Sequence, residues 1–551
     1  MATPPHSLPA GVLIIGAGPT GLTLAISLAA HGVPFVIVDR KDGPCVDSKA
    51  LAVNIASQYA FELLGLGKRL GTRAGHLRKL NVLWQGKRIS AVDVGRLDFH
   101  LRSFLAQPQA DTEQELIDTL AHFGHRVDWR VQVKSVVQDD TGVTVTMEGA
   151  EGEEETRRYA YAVGCEGKNS LVRQQIASDF SGVDYPVYFV VGDFALDWDR
   201  PRDQGYYYVY EHTFFIILPV GRDGWRVVVR HDGALPQDKP LTSAEITDVV
   251  SRELGRNIFM GEASWISRAP FYMRVSDRLQ QGRLFIAGDA AHLFSPIGGT
   301  GMNTGMQDAL NLGWKLAYRI KGLAGDALLA TYEAERLEAI RATAAATDRS
   351  TRLITRIDRD PAAVQSMMPL MRNRPAFRAA LPILHSGLGP SSVQALGEAG
   401  GAPMPGSRRA GEYCLGLGEV RGAGDTPAHL SILAWQPDPL GHPDYWRALE
   451  AITRRYPDAT QTIVLVDDAA TESELQRCFP ALDAAIVNDT ARRRSGLGAG
   501  GVLLVQPTGI VAYSGALADL DGLRAWLARY LQQAAERQDS GVHAAQDAVS
   551  A

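Results

Sequence analysis

An α/β protein carrying an inserted, mostly antiparallel β unit and a second, small α/β unit near its C-terminal end is the architecture this sequence predicts. Three observations predict it. A glycine cluster sits between two short apolar runs near the start. A tyrosine-rich, alternating stretch interrupts the α/β texture over 181–275. Beyond a Gly-, Pro- and Ser-rich stretch at 386–409, short apolar runs and helical patterns alternate again. The 551 residues, at about 150 per domain, suggest three to four domains. With 45% apolar and 21% charged residues the chain reads as globular.

The charge balance, 56 basic against 62 acidic residues for a net −6, excludes a generally basic nucleic-acid binder. The longest apolar stretches, such as Phe214–Val220, are too short to span a bilayer. No basic segment precedes an apolar core at the N-terminus, so no secretory signal is expected. The four cysteines are scattered and form no CxxC pair, which argues against zinc ribbons, disulfide scaffolds and dithiol chemistry. A cytoplasmic protein without membrane or nucleic-acid partners is the expectation.

Taken in order, residues 12–15 form an apolar run, Thr20–His31 is helical in pattern, and Phe35–Val38 is a second run ending in Asp39. This is a strand–helix–strand unit with tight loops. Val131–Val137 and Gly142–Met147 alternate like a hairpin, and Ala160–Val163 is a further strand. If the stretch from Tyr206 to Ile216 is extended, Tyr206, Tyr208, Tyr210, His212, Phe214 and Ile216 share one face. Trp225–His231 reads as its partner across a turn at Gly221–Gly224. Arg283–Ala287 returns to the α/β texture, followed by a long helix over Asn303–Lys321 and largely helical residues 326–382. Near the C-terminus, Ser431–Ala434, Thr462–Val466 and Val502–Val505 look like strands, with helices near 443–455 and 519–532. The last residues are polar and alanine-rich.

The loop Gly16-Ala17-Gly18-Pro19-Thr20-Gly21 is a GxGxxG motif that follows a strand and opens a helix. Its glycines permit a tight turn and close approach of backbone to a diphosphate at the helix N-terminus. Asp39, closing the next strand 18 residues after Gly21, can accept hydrogen bonds from a ribose. The loop alone does not separate a flavin from a nicotinamide cofactor.

A second motif lies nearly 270 residues downstream. Arg283-Leu-Phe-Ile-Ala-Gly-Asp-Ala-Ala-His292 places Gly288 and Asp289 just after a strand, and Pro296, Gly298, Gly299, Gly301, Met302 and Asn303 follow, ahead of Gln307-Asp308 and Asn311-Leu-Gly-Trp-Lys-Leu-Ala317. Asp289 can accept hydrogen bonds from ribityl hydroxyls. The glycines let backbone approach a flat ring. The helix beginning near Met302–Asn303 aims its positive end at that ring, where a reduced flavin carries negative charge. Pro296 fixes the loop.

This segment resembles the single-component flavin-dependent aromatic hydroxylases of the p-hydroxybenzoate hydroxylase fold, most of all the phenol, pentachlorophenol and polyketide hydroxylases, and the resemblance extends over nearly the whole chain. It implies an FAD-binding Rossmann-like domain split over 1–180 and 276–390, an inserted substrate-binding β-sheet domain at 181–275, a thioredoxin-like C-terminal domain at 405–535 and a tail at 536–551. It further implies FAD contacts from Gln109 and, near a phosphate-binding position, from Lys49. Arg40 is a similar candidate beside Asp39. Where such enzymes carry Asp-Gly, this chain has Glu166-Gly167, and Ala56 stands where relatives often have arginine. The Glu166 departure puts nicotinamide handling in question. Gly498–Ala512 is similar to the last hairpin of the C-terminal appendage of these hydroxylases, for which support of folding and self-association as a homodimer are the candidate roles.

The activity implied is hydroxylation of a phenolic substrate by NAD(P)H, dioxygen and FAD, through a flavin C4a-hydroperoxide. The cofactor carries the hard chemistry, so no protein nucleophile and no metal are expected. The substrate is expected between the flavin and the antiparallel sheet. Tyr208, Tyr210, His212 and Arg226 are the candidate catalytic residues, with Tyr206 and Arg230 beside them; a tyrosine or histidine would take the phenolic proton and an arginine an acidic substituent. Alternatives are epoxidation or Baeyer–Villiger insertion on a polyketide, a flavin dehydrogenase, and a non-catalytic FAD-binding protein.

Overall fold

The computed structural model describes residues 11–45, 50–210, 212–233, 236, 239–295, 299–356, 408–410, 412–421, 429–497 and 500–533. Lys49, Pro296, Gly298, the helical pattern beyond 356, the linker over 386–407 and the tail at 536–551 lie outside the described residues.

The first sheet has six strands in the order Gln280–Gln281, Leu284–Ile286, Tyr161–Gly164, Val12–Ile15, Phe35–Asp39 and Asp128–Trp129. The four central strands run parallel. Such strands are covered on both faces, and the run Val12–Ile15 is buried throughout, as its unbroken apolar sequence requires. The strand order reverses at Val12–Ile15. The crevice beyond the C-terminal ends of the strands at such a reversal is where open α/β sheets take their ligands.

Among the described residues, seven α-helices precede the C-terminal region. They are α1 (Pro19–Ala30), α2 (Ile55–Leu63), α3 (Gln109–His122), α4 (Leu171–Gln175), α5 (Ala244–Leu254), α6 (Gly301–Ile320) and α7 (Asp326–Arg356). Helix α1 starts with proline, whose missing N–H costs nothing in a first turn, and is gripped by α3 and α6. Asn54 caps α2 by accepting the Ser57 N–H at 2.8 Å. Among the described residues no helix is long and apolar enough to cross a membrane.

The inserted sheet has eight strands: His292–Leu293, Trp265–Ser276, Phe180–Phe194, Gly224–Asp232, Phe214–Val220, Gln204–Val209, Lys79–Trp84 and Lys87–Asp93. It therefore reaches beyond 181–275 and recruits a hairpin from 79–93, joined through a Gln85-Gly86 turn with both residues at positive φ. The stretch from Tyr206 to Ile216 is not one strand. The chain reverses at residues 210–213, where the Tyr210 N–H donates to the Thr213 carbonyl at 2.9 Å, so Tyr206 pairs with Ile217 and Tyr208 with Phe215. Corrected for this turn, the sheet has two distinct aromatic faces.

The C-terminal sheet orders Asp483–Ile486, Thr460–Val466, Leu430–Trp435, Gly501–Val505 and Val511–Gly515, the first three parallel and the last two antiparallel. Helices Pro443–Arg455, Ala469–Cys478, Asp489–Ser495 and Asp521–Tyr530 accompany it. Its core is continuous with Ile55, Ala56 and Tyr59 of α2 and with Trp314 and Tyr318 of α6.

Candidate active site

Four strand ends converge on the GxGxxG turn. The Gly16 N–H donates to the Val38 carbonyl at 2.8 Å, the Cys165 N–H to the Ile15 carbonyl at 2.7 Å, and the Ala287 N–H to the Gly164 carbonyl at 3.0 Å. Gly16 has φ +104°, and a β-carbon there would lie 2.5 Å from the Cys165 carbonyl oxygen. Around Gly18, by contrast, an added β-carbon meets nothing within 4 Å, so the N-terminus of α1 opens onto free space. The first-turn amides of a helix lack intrahelical acceptors, which makes this a site for a diphosphate.

The second motif meets the first directly. Gly288, at φ +63°, packs so tightly on α1 that its β-carbon would lie 2.4 Å from Thr20 Oγ1. Asp289 is exposed between buried Gly288 and Ala290. Behind this turn Asp308 is fully buried. Its carboxylate accepts the Gly288 N–H at 3.2 Å, the His292 Nε2–H at 2.7 Å and the Arg336 Nε–H at 2.7 Å. Burial works to raise the Asp308 carboxyl, but the Arg336 guanidinium and the His292 ring outweigh it and hold it below the usual carboxylate range. The Asp289 turn is thus anchored from behind by a charged, hydrogen-bonded group. His292 belongs to that anchor.

The other residues expected at the cofactor have varied partners. Asp39 accepts the Ala17 N–H at 2.7 Å and the Lys41 N–H at 3.0 Å, which ties it to the glycine turn. Arg40 beside it is exposed. Gln109 accepts the Ala50 N–H at 3.2 Å and donates to Glu113 at 2.9 Å. Gly299, Gly301 and Met302 form the entrance to α6, and β-carbons added at the two glycines meet nothing within 4 Å. Asn303 is a clamp: its Oδ1 accepts the Asn54 N–H at 2.8 Å, and its Nδ2 donates to the Ala52 carbonyl at 2.8 Å and the Gly299 carbonyl at 3.0 Å.

Glu166 turns away from the open space. Its carboxylate accepts the Val172 N–H at 3.1 Å in the first turn of α4 and lies over Gly164, whose missing side chain makes room for it. Burial raises its carboxyl above the usual range. The extra methylene relative to aspartate is what lets it reach back to α4. Ala56 is buried.

The tyrosines expected to face the substrate do not share one role. Tyr206 and Tyr208 are buried on the back of the sheet with Tyr188, Phe215 and Ile246 of α5. Tyr208 stacks on Phe215 at 4.8 Å, and the Tyr210 hydroxyl donates to the Glu253 carbonyl of α5 at 3.2 Å. His212 is exposed in the hairpin turn. Arg226 points the other way, bound in a bidentate pair to Asp193 at 2.7 and 2.8 Å and donating to the Ala50 carbonyl at 3.1 Å. Because Ala50 also contacts Gln109, Arg226 marks the face that looks toward the flavin-side loops. Strand alternation puts Tyr207, Phe214, Ile216, Val228 and Arg230 on that face, with Trp84 and Trp265 packed there too. Tyr207 lies deep, yet its side chain keeps accessible surface, and its hydroxyl has no hydrogen-bond partner among the described residues; burial pushes it up to about 12. Sequence parity alone could have found Tyr207, given the turn at 210–213.

An exposed aspartate, a helix N-terminus opening onto free space and a glycine-lined entrance to a second helix are groups that could hold FAD, with the diphosphate at α1, the ribityl chain at Asp289 and the flat ring at Gly299–Met302. Residues 10–347 match the model of the FAD binding domain family. Over 534 residues the chain is 30% identical to the 6-methylpretetramide 4-monooxygenase of Streptomyces rimosus, covering 93% of this chain and 92% of that one. It is 35% identical over 361 residues to the 12-dehydrotetracycline 5-monooxygenase/anhydrotetracycline 6-monooxygenase of Streptomyces rimosus subsp. rimosus, 64% of this chain and 70% of that one. The structure of an anhydrotetracycline hydroxylase from Streptomyces rimosus superposes with a TM-score of 0.71 at 27% identity, covering 95% and 99% of the two chains. The chain belongs to the FAD binding domain family and is a flavin-dependent aromatic monooxygenase.

Proposed function

We propose that this enzyme hydroxylates a flat, polycyclic phenol of the aromatic polyketide type, seated on the Tyr207 face of the eight-stranded sheet. The observation that carries the reading is Tyr207 itself: a deep hydroxyl without a partner among the described residues, on an aromatic face turned toward the flavin-side loops. Trp84, Phe214 and Trp265 offer broad apolar surface beside it. The names of the tetracycline-type relatives favour a fused-ring substrate over a single-ring phenol.

Bound FAD, reduced by NAD(P)H, supplies the activation of dioxygen and the transfer of one oxygen atom. The residues of the chain do the rest. Tyr207, held neutral by burial, donates a hydrogen bond to the phenolic oxygen of the substrate and so favours its deprotonated, electron-rich form, in which the ring carbon best accepts the oxygen atom. The Arg226–Asp193 pair holds the sheet against the Ala50 loop and so fixes the distance between substrate face and ring. Arg230, buried on the same face, suits an acidic or carbonyl substituent. The apolar wall excludes water from the reacting carbon.

Division into a flavin unit at 1–180 and 276–390, a substrate unit at 181–275 and a thioredoxin-like unit at 405–535 belongs to this proposal, supported by the separate six-, eight- and five-stranded sheets. So does a cytoplasmic location, where NAD(P)H is at hand.

The test is a screen of mono- and polycyclic phenols for stimulated NADPH and NADH consumption under labelled dioxygen. Hydroxylation predicts a gain of about 16 mass units with ordinary dioxygen and about 18 with the labelled gas, the label residing in a phenolic product. Label in a lactone or epoxide, or turnover without incorporation, would overturn it.

A further inference from the structure

The C-terminal five-stranded unit is joined to the flavin unit by more than apolar contact. Three buried polar ties cross the joint. The Tyr59 hydroxyl of α2 donates to the Cys414 carbonyl at 2.6 Å. The Tyr318 hydroxyl of α6 donates to the Ala459 carbonyl at 2.7 Å and accepts the Leu430 N–H at 3.1 Å. Gln506, fully buried, donates to Glu335 of α7 at 3.3 Å, and Glu335 in turn holds Lys315 of α6 at 2.9 Å and Asn311 at 2.7 Å. The hairpin at Gly509 presses on α2 so closely that a β-carbon there would lie 2.8 Å from the Tyr59 ring.

The helices so gripped are the two that meet at the ring end of the crevice. Helix α2 is capped by Asn54, five residues or roughly 7–8 Å of helix from Tyr59. Helix α6 begins at Gly301, and its Asn303 joins the Asn54 N–H to the Gly299 carbonyl. An α-helix is stiff along its axis, so a displacement where the C-terminal unit holds it is carried to its N-terminus. Buried charges make the joint intolerant of sliding, because a broken pair leaves an uncompensated charge.

We propose that the C-terminal unit is a brace for the flavin site: through Tyr59 and the Gln506–Glu335–Lys315 chain it sets the N-termini of α2 and α6, and with them the Asn303 clamp on Gly299. Tyr59, Gln506 and Glu335 are positioning residues that touch neither cofactor nor substrate.

Two single variants of the full chain test this. Tyr59→Phe removes one hydroxyl without changing volume. Gln506→Leu removes the hydrogen bond that the C-terminal unit gives to Glu335. The FAD dissociation constant of the apoprotein and the visible spectrum of bound flavin are measured well below the melting transition, beside the melting temperature. The brace predicts an FAD dissociation constant raised about fivefold, as loss of one hydrogen bond across the joint implies, and a shifted spectrum in both variants. A lowered melting temperature with affinity and spectrum unchanged would show an appendage that only stabilises, and would overturn the proposal. Should Gln506→Leu not fold, Tyr59→Phe decides by the same readings.

Discussion

At the scale of single residues, which face a side chain occupies decides its role. Tyr207 and Tyr208 are neighbours in sequence and opposites in the sheet. If Tyr207 donates to the phenolic oxygen, Tyr207→Phe lowers kcat/KM by about tenfold, the value of one hydrogen bond to a charged group. Tyr208→Phe, on the α5 side, leaves kcat/KM within about twofold, since it loses no substrate contact. Steady-state kinetics with any turned-over phenol separates the two. His31 yields a pH prediction. Its ring is buried at the end of α1 and hydrogen-bonded to the Ser27 carbonyl at 2.7 Å; burial lowers its pKa from 6.5 to about 4. Between those values the unfolded chain binds a proton that the folded chain refuses, so stability falls as pH drops through the window. The slope is about 1.4 kcal/mol per pH unit, or about 3 kcal/mol in all. Chemical denaturation from pH 7 to pH 4 should show this fall, and His31→Phe should flatten it.

At the scale of elements, the crossing of α1 and α6 carries the site. Gly305 lets α6 approach, because a β-carbon there would lie 2.4 Å from Thr20 Oγ1 and 3.0 Å from the Gly288 Cα. Gly305→Ala must push the helices apart or displace the Asp289 turn. A cost of about 1–3 kcal/mol is expected for such overpacking, with FAD retained poorly through gel filtration while far-UV circular dichroism is kept. Gly288 was legible in the sequence as the glycine that follows a strand and precedes Asp289, whereas Gly305 carried no separate signal inside its helix. The strands at 79–84 and 87–93 also left a signal, alternating apolar positions around Gln85-Gly86, but no local feature says that they add to a sheet formed more than a hundred residues later. The turn at 210–213, Tyr-Glu-His-Thr, contains neither glycine nor proline, and an alternating stretch without a breaker reads as one strand.

At the scale of the whole molecule, one apolar core runs from α2 and α6 into the C-terminal sheet. Units that share a core unfold together, whereas tethered ones unfold separately. Urea unfolding followed by bound-flavin fluorescence and by far-UV circular dichroism should therefore give coincident transitions for the flavin unit and the C-terminal unit. An early transition confined to residues beyond 408, seen by hydrogen exchange, would contradict the shared core.

Sequence by itself determined the strand–glycine-turn–helix unit, the Gly288-Asp289 motif and hence the FAD crevice, because each demand there is local: a positive φ, a missing side chain, a helix N-terminus. Only the tertiary structure decided which aromatic face looks toward the Ala50–Gln109 loop, that Glu166 turns back to α4, and that the C-terminal sheet grips α2 and α6. Those depend on strand reversal, available space and partners distant in the chain, and residue order states none of them.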